Sequence, residues 1–215
     1  ELARGFGFEL SVGALDWPAF VARRQAYIAR AENSYRQRLA DLGIRVVSER
    51  AWLEPDGRVC SASVQVRAVH RLIATGGRPS RLDLPGFDLG AVSDDVFDLS
   101  ALPRRIVIVG GGYIAVEMAG LLHGLGAEVS VLIRGEHVLD RFDRELSEVL
   151  TESMRTQGID VHARTEVSSV ERDGDGSVSI RTGNGQRFDA DWLLWALGRT
   201  PNSDGIGLDT VGVVT

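Results

Sequence analysis

A glycine-rich turn lies between an apolar run and a helical pattern near the middle of this chain. The run Ile106–Val109 predicts a buried strand, Gly110–Gly112 follow it, and Tyr113–Glu117 open a helical pattern. A strand, a glycine turn and a helix in this order hold the pyrophosphate of a dinucleotide, because free amides at the helix start face the anion. The sequence therefore predicts a nicotinamide-type cofactor here.

The small residues of the turn have separate expected roles. Gly110 makes the turn, Gly112 lets the backbone approach the phosphates, and Ala115 is small enough for close packing of helix on strand. A plain strand–helix turn without a ligand is the alternative. The residue after the next strand favours the cofactor.

That next strand, Val129–Ile133, ends at Arg134. An NAD site usually has an acidic residue there, on the 2′-hydroxyl of the ribose. An arginine instead forms a charge-assisted pair with a 2′-phosphate. We therefore expect NADPH rather than NADH, with Arg141 as a candidate second clamp on the phosphate.

Composition limits the other classes of function. The net charge of −6 argues against general affinity for nucleic acid. No apolar stretch approaches the roughly 20 residues of a membrane span. The single cysteine, Cys60, excludes an internal disulfide and favours the cytoplasm, and we expect it to be an inert, partly buried thiol. The scattered histidines predict no metal site.

From Arg105 onward, apolar strands alternate with helical patterns, and a hairpin signal at Asp173–Gly176 interrupts this order. We expect an α/β fold: a Rossmann-like nucleotide-binding domain of three layers, ββα, with an inserted antiparallel meander. The expected bounds are 104–199 for this domain and 80–103 for a connection. Residues 1–79 belong to a preceding domain, and 200–215 begin the following segment.

Helices and strands are also expected outside the glycine turn. A helix should start after Asp16 and stop near Gly43, followed by short strands at Ile44–Ser48, Ala51–Leu53, Val64–Arg67 and Arg71–Ala74. In the Rossmann-like domain, the first helix is expected to bury Ile114, Met118, Leu121, Leu122 and Leu125. The second is expected to bury Leu146, Val149, Leu150 and Met154.

Four stretches, in this order and spacing, resemble the flavin-dependent pyridine nucleotide–disulfide oxidoreductases. They are Leu72–Gly77 with Pro79, Val109–Glu117, Ile133–Arg134 with Phe142–Asp143, and Leu194–Asn202. Within that family the resemblance is nearest to glutathione reductases, mainly through Gly112–Glu117 and the arginine after the second strand. It covers nearly the whole chain, and four motifs are more specific than one glycine turn.

The resemblance implies a reaction. In this family NADPH passes a hydride to FAD, the flavin reduces a cysteine pair, and the dithiol reduces a disulfide, here glutathione disulfide. It also implies that residues 1–79 are part of an FAD-binding domain and that the full-length protein is a homodimer.

The resemblance further implies roles on the nicotinamide side of the dinucleotide. Gly111, Ile114 and Glu117 would line it, and Tyr113 would cover the nicotinamide pocket and move when NADPH enters. Tyr113 and Glu117 are thus the candidate catalytic residues of this chain. Without the resemblance, Glu117 would be a surface carboxylate and Tyr113 a packing residue.

Other roles follow from the same resemblance. Arg134 would bind the 2′-phosphate, and Gly198 would approach the cofactor from the last strand. Thr75 and Gly76 would belong to the flavin side, and Ala51 would contact FAD through its backbone. Glutathione reductases commonly have a second arginine six residues after the first, where this chain has Asp140. Arg141 either replaces it or pairs with Asp140 or Asp143.

Several family features are missing from this sequence. The glycine turn that binds FAD, the cysteine pair, the later flavin motif and the C-terminal domain do not occur in it. We therefore expect an internal piece, about half of a longer enzyme, that is inactive alone. The alternatives are another NADPH-dependent disulfide or mercuric reductase, or a binding module that holds NADPH without catalysis.

Overall fold

A computed structural model describes residues 6–9 and 13–214. The expected first domain and last segment include residues 1–5, 10–12 and 215, which lie outside the described residues. The helices are α1 (Trp17–Asp41), α2 (Tyr113–Gly124) and α3 (Arg144–Thr156). The strands are β1 (Trp52–Leu53), β2 (Val59–Cys60), β3 (Gln65–Val66), β4 (Gly77–Pro79), β5 (Ala91–Val92), β6 (Arg105–Val109), β7 (Glu128–Leu132), β8 (Asp160–His162), β9 (Val167–Arg172), β10 (Val178–Thr182), β11 (Arg187–Ala190), β12 (Trp192–Trp195) and β13 (Arg199–Pro201).

A parallel sheet of five strands, in the order β5-β12-β6-β7-β8, forms the centre of the fold. In β6, Ile106, Val107, Ile108 and Val109 are all buried. A continuous apolar run of this kind is typical of a parallel strand that is covered on both faces. Part of the expected connection, β5, is the outer strand of this sheet.

Two hydrophobic cores lie on the two faces of the sheet. One packs α2 and α3 against the face that carries Ile106, Ile108 and Val131. The other packs the antiparallel meander β9–β10–β11 against the opposite face, where Trp195 stacks on Phe87 with ring centroids 4.9 Å apart. The expected three-layer ββα domain with an inserted meander is confirmed.

The buried faces of the two helices match the predicted ones only in part: Leu122 and Met154 are buried as predicted, and the differences are at other positions. Helix α2 buries Ala115, Ala119 and Leu122, whereas Leu121 is exposed. Its small residues let the helix axis come close to the sheet, and hydrophobicity alone does not reveal this choice. The prediction for Leu121 was therefore wrong.

Helix α3 differs in the same way. It buries Ser147, Thr151 and Met154, whereas Leu146 and Val149 are exposed. The two buried hydroxyls form hydrogen bonds to backbone oxygens, which offsets the cost of their burial. The prediction was therefore wrong for Leu146 and Val149, while Met154 is buried and Leu150 packs against the core as predicted.

The region before β4 is built mainly from helix α1 and short strands. Asp16 caps α1 by accepting a hydrogen bond from the amide of Ala19, as expected. Neither Ile44–Ser48 nor Arg71–Ala74 forms a strand, because no described segment pairs with their backbone. Within the described residues, the helices are too short or too polar to cross a bilayer.

Candidate dinucleotide site

The glycine turn lies where the carboxyl ends of β6, β7 and β12 meet. Gly110 has φ 132°, and its amide donates to the carbonyl oxygen of Leu132 at the end of β7 over 2.9 Å. A Cβ at position 110 would collide with the carbonyl oxygen of Ala196, just past β12. The close approach of three strand ends therefore requires glycine here.

Gly112 occupies a different environment at the start of α2. It is the N-cap of the helix, with φ −81° and ψ 178°, and no side chain caps the helix. A Cβ at position 112 would have no neighbour within 4 Å. The first turn of α2 therefore combines open space with amides that lack a side-chain acceptor, which suits an anion.

The side chains of the first turns of α2 divide between the core and the surface. Ala115 is fully buried and Ile114 packs against the helix-side core. Tyr113 is 55% exposed, and Glu117, one helical turn later, is exposed as well. The two candidate catalytic side chains thus lie on the open side of the helix, beside the glycine turn.

Arg134 follows directly after the buried Ile133 at the end of β7 and is exposed. Arg141 is exposed as well, and neither arginine has a carboxylate oxygen within 4.0 Å among the described residues. The alternative pairing of Arg141 with Asp140 or Asp143 is therefore not observed. Asp143 instead caps α3, accepting from the amide of Leu146 over 3.3 Å.

We call residues 134–142 the arginine loop. Asp140 folds back over its start, since a Cβ at Gly135 would lie 3.3 Å from a carboxylate oxygen of Asp140. Glu136 accepts a hydrogen bond from Arg164, and this guanidinium holds the pKa of the Glu136 carboxyl below its ordinary value. Within the described part of the chain, Glu136 is therefore paired with an arginine, whereas Asp140, Arg134 and Arg141 have no oppositely charged partner.

The remaining predicted residues lie at two places. Gly198 follows β12 at the same sheet edge as the glycine turn, and its carbonyl oxygen accepts from the amide of Ser80 over 3.0 Å. Thr75 and Gly76 are held by Asn202, whose side-chain and backbone N–H groups donate to their carbonyl oxygens over 3.2 and 3.0 Å.

Ala51 is exposed just before β1, and the amide of Leu53 donates to the carbonyl oxygen of Ile206 over 2.8 Å. The expected flavin-side residues Ala51, Thr75 and Gly76 therefore flank the segment 202–206. They do not belong to the sheet edge that carries the glycine turn.

Sequence reasoning missed one connection within the site. The amide of Leu139 in the arginine loop donates to the carbonyl oxygen of Gly111 over 2.7 Å. Buried hydroxyls of α3, Ser147 and Thr151, contact the same part of the loop. Two hydroxyl residues four positions apart, each directly after a leucine, were the available signal.

A parallel sheet, a glycine turn that opens a helix, and an exposed arginine after the second strand define a dinucleotide-binding Rossmann-like domain. The family model of pyridine nucleotide-disulphide oxidoreductases matches residues 5–215. The chain belongs to this family.

Two curated relatives carry the name glutathione reductase. The protein from Burkholderia cepacia is 40% identical over 213 residues, which are 99% of this chain and 47% of the relative. The protein from Nostoc sp. is 33% identical over 214 residues, again 99% of this chain and 47% of the relative. The chain thus spans about half the length of these relatives.

Solved structures share the fold. LpdA from Mycobacterium tuberculosis is 26% identical with a TM-score of 0.86, covering 99% of this chain and 48% of that protein. The HOCl-induced flavoprotein disulfide reductase RclA from Escherichia coli is 23% identical with a TM-score of 0.83, covering 94% of this chain and 47% of that protein. The second likeness shows the fold alone.

Proposed function

We propose that this chain is the NADPH-binding part of a flavoprotein disulfide reductase that acts on glutathione disulfide. The observation that carries the proposal is Arg134, an exposed cation with no carboxylate partner among the described residues, at the strand end where an NAD site has an acid. The 40% identity to a glutathione reductase over nearly the whole chain supports the substrate class.

The described residues fit the coenzyme. The uncapped start of α2 and the open space at Gly112 suit a pyrophosphate, and Arg134 suits a 2′-phosphate. Ile114, Glu117 and Gly198 would line the nicotinamide side, with Tyr113 as its cover. When bound, NADPH supplies a hydride to the reaction, and the residues of this chain bind and orient it.

The flavin side of the proposal rests on the region before β4. Ala51, Thr75 and Gly76 are exposed. Gly76 has φ 69°, and a Cβ at position 76 would have no neighbour within 4 Å, so the backbone here is accessible to FAD. Cys60 is buried and is the single cysteine of the sequence. The proposal therefore places the redox cysteine pair outside these 215 residues. It also takes the full-length protein to be a cytoplasmic homodimer.

The test is a titration of the full-length protein with NADPH and NADH, together with the flavin content from its absorbance. We expect Arg134→Ala to weaken NADPH binding by about tenfold or more and to leave NADH binding nearly unchanged, because one charge-assisted bond to the 2′-phosphate is lost. Arg144→Ala is the matched control, since Arg144 is exposed but paired with Glu148. Equal binding of both coenzymes by the unaltered protein would overturn the proposal.

The role of Arg141 is a separate question. We propose that Arg141 replaces the second phosphate-binding arginine of glutathione reductases, because it is exposed and free of the neighbouring acids. Arg141→Ala should then weaken binding of NADPH but not of NADH. An unchanged affinity for NADPH would leave discrimination to Arg134 alone.

The substrate is tested by turnover. With NADPH in excess, the full-length protein should reduce glutathione disulfide faster than trypanothione disulfide or mercuric ion. Faster reduction of another acceptor would keep the coenzyme assignment and change the substrate. Tight NADPH binding without any reduction or flavin would favour the non-catalytic module.

A further inference from the structure

We propose that Ser147 and Thr151 are positioning residues, which hold the arginine loop against the glycine turn and thereby set the preference for NADPH. This inference rests on the proposed function and adds two side chains that do not themselves touch the coenzyme. Both lie on the sheet-facing side of α3, where they are 3% and 0% exposed.

Thr151 anchors the middle of the loop. Its Oγ1 accepts a hydrogen bond from the amide of Val138 over 3.0 Å and donates to the carbonyl oxygen of Ser147 over 2.7 Å. Val138 is fully buried in the helix-side core. Thr151 is therefore the acceptor that allows this backbone amide to be buried.

Ser147 holds the next residue of the loop. Its Oγ lies 2.8 Å from the carbonyl oxygen of Leu139 and 3.0 Å from that of Asp143, so its single proton is donated to one or shared by both. Leu139 has φ 54°, a left-handed conformation that is unfavourable for leucine. Such a conformation persists where surrounding contacts hold it.

Leu139 completes the connection to the cofactor site. Its amide donates to the carbonyl oxygen of Gly111 over 2.7 Å. A Cβ at Gly111 would lie only 3.2 Å from Cγ2 of Ile133, so the turn lies close beside the residue before Arg134. Hydrogen bonds thus run from α3 to the loop and from the loop to the glycine turn.

This connection fixes the distance between two parts of the coenzyme site. The glycine turn would hold the pyrophosphate, and Arg134 and Arg141, on either side of Val138–Leu139, would hold the 2′-phosphate. If a hydroxyl is removed, the loop loses a backbone partner and the cations shift relative to the turn. Because NADH has no 2′-phosphate for those cations to bind, the loss of affinity should affect NADPH and not NADH.

The experiment measures dissociation constants of NADPH and NADH in the full-length protein carrying Thr151→Val, Thr151→Ser or Ser147→Ala. We expect Thr151→Val and Ser147→Ala to weaken NADPH binding by about tenfold and NADH binding by less than about twofold. Thr151→Ser keeps the hydroxyl and should restore NADPH binding to within about twofold of the unaltered protein.

Thr182→Val is the matched control. Thr182 is also buried and hydrogen-bonded, but it lies in the meander on the other face of the sheet. It should lower stability without changing the ratio of the two dissociation constants. If Thr151→Val does not fold, Ser147→Ala, which removes one atom, decides the question.

The outcomes separate this inference from the proposed function. If both hydroxyl variants keep the ratio of the NADPH and NADH dissociation constants of the unaltered protein, the positioning role is overturned while the NADPH assignment stands. This includes the case in which both coenzymes lose affinity equally. If the unaltered protein binds NADH as tightly as NADPH, the proposed function fails, and this inference fails with it.

Discussion

Residues 13–79 and residues 85–199 differ in how they bury their apolar side chains. The later region buries both faces of a parallel sheet, with Ile108, Val131 and Leu194 fully inaccessible. In the earlier region, Trp17 and Cys60 are the buried hydrophobic residues among those described. Its large apolar side chains are instead exposed, including Tyr27, Tyr35, Leu42, Ile44, Val46, Trp52, Val69 and Leu72.

The two regions therefore hold their candidate binding residues in different ways. The proposed dinucleotide-binding residues, apart from Arg141, lie at strand ends and a helix start that pack on a two-sided core, which suits precise positioning of phosphates. The expected flavin-side residues lie on two-residue strands and loops. Few hydrogen bonds connect helix α1 to the later region, among them one from Trp17 Nε1 to the carbonyl oxygen of Leu99 over 3.0 Å. We therefore expect stability to concentrate in residues 85–199.

The largest expected effect tests this contrast by truncating one isoleucine in each region. Ile108→Ala removes a fully buried side chain from the central strand β6 and should cost about 2–5 kcal/mol in the free energy of unfolding. Ile44→Ala removes a half-exposed one and should change it by less than about 0.5 kcal/mol. Urea unfolding of this chain measures both, and similar losses would contradict the contrast.

A smaller effect distinguishes structural from ligand-binding glycines within the later region. Gly110→Ala should cost about 1–3 kcal/mol of backbone strain, because of its positive φ, besides the collision with Ala196. Gly112→Ala has open space and an ordinary backbone, so the protein should stay folded. The added methyl group should nevertheless weaken NADPH binding, because it would occupy part of the open space proposed for the pyrophosphate.

Thermal unfolding and NADPH titration of the two glycine variants measure these effects. Strong destabilisation by Gly112→Ala, or NADPH binding unchanged by it, would argue against an anion site at the start of α2.

The smallest expected effect concerns ion pairs at the surface. Asp191 accepts hydrogen bonds from the guanidinium and the amide of Arg105, which hold the pKa of its carboxyl below its ordinary value. A lowered pKa means that the ionised form stabilises the fold, and this contribution is lost as the pH falls below about 4. Asp191→Asn should therefore lower the urea midpoint slightly at pH 7, and this difference should shrink progressively as the pH falls below about 4.

Asp56→Asn is the counterpart in the earlier region. Its carboxyl also has a lowered pKa, caused chiefly by the amide of Arg58, but it joins only neighbouring loops and short strands. Its effect on the urea midpoint should be smaller than that of Asp191→Asn. A larger effect would show that the earlier region carries more of the stability than its burial indicates.

Most of the architecture could be predicted from local patterns. The glycine turn between a continuous apolar run and a helical pattern identified β6, α2 and the sheet edge that carries the site, because each signal is local and the residue types are restrictive. The hairpin at Asp173–Gly176 likewise identified the meander. The sequence alone predicted Arg134 at a strand end, because the end of an apolar run marks the end of a strand.

Other features depended on contacts distant in sequence. The strands expected at Ile44–Ser48 and Arg71–Ala74 have the right composition, but a strand exists only where a neighbour takes its hydrogen bonds. The buried sides of α2 and α3 follow from close approach to the sheet, which selects alanine and hydrogen-bonded hydroxyls over larger apolar residues.

The sequence by itself determined the fold class, the position of the glycine turn and the cation that follows β7, since these depend on residue type and order. The tertiary structure decided that Gly110 must lack a side chain, through the carbonyl oxygen of Ala196, and that Thr151 supports the loop after Arg134. Both depend on atoms brought together from remote parts of the chain, and no local pattern specifies such a meeting.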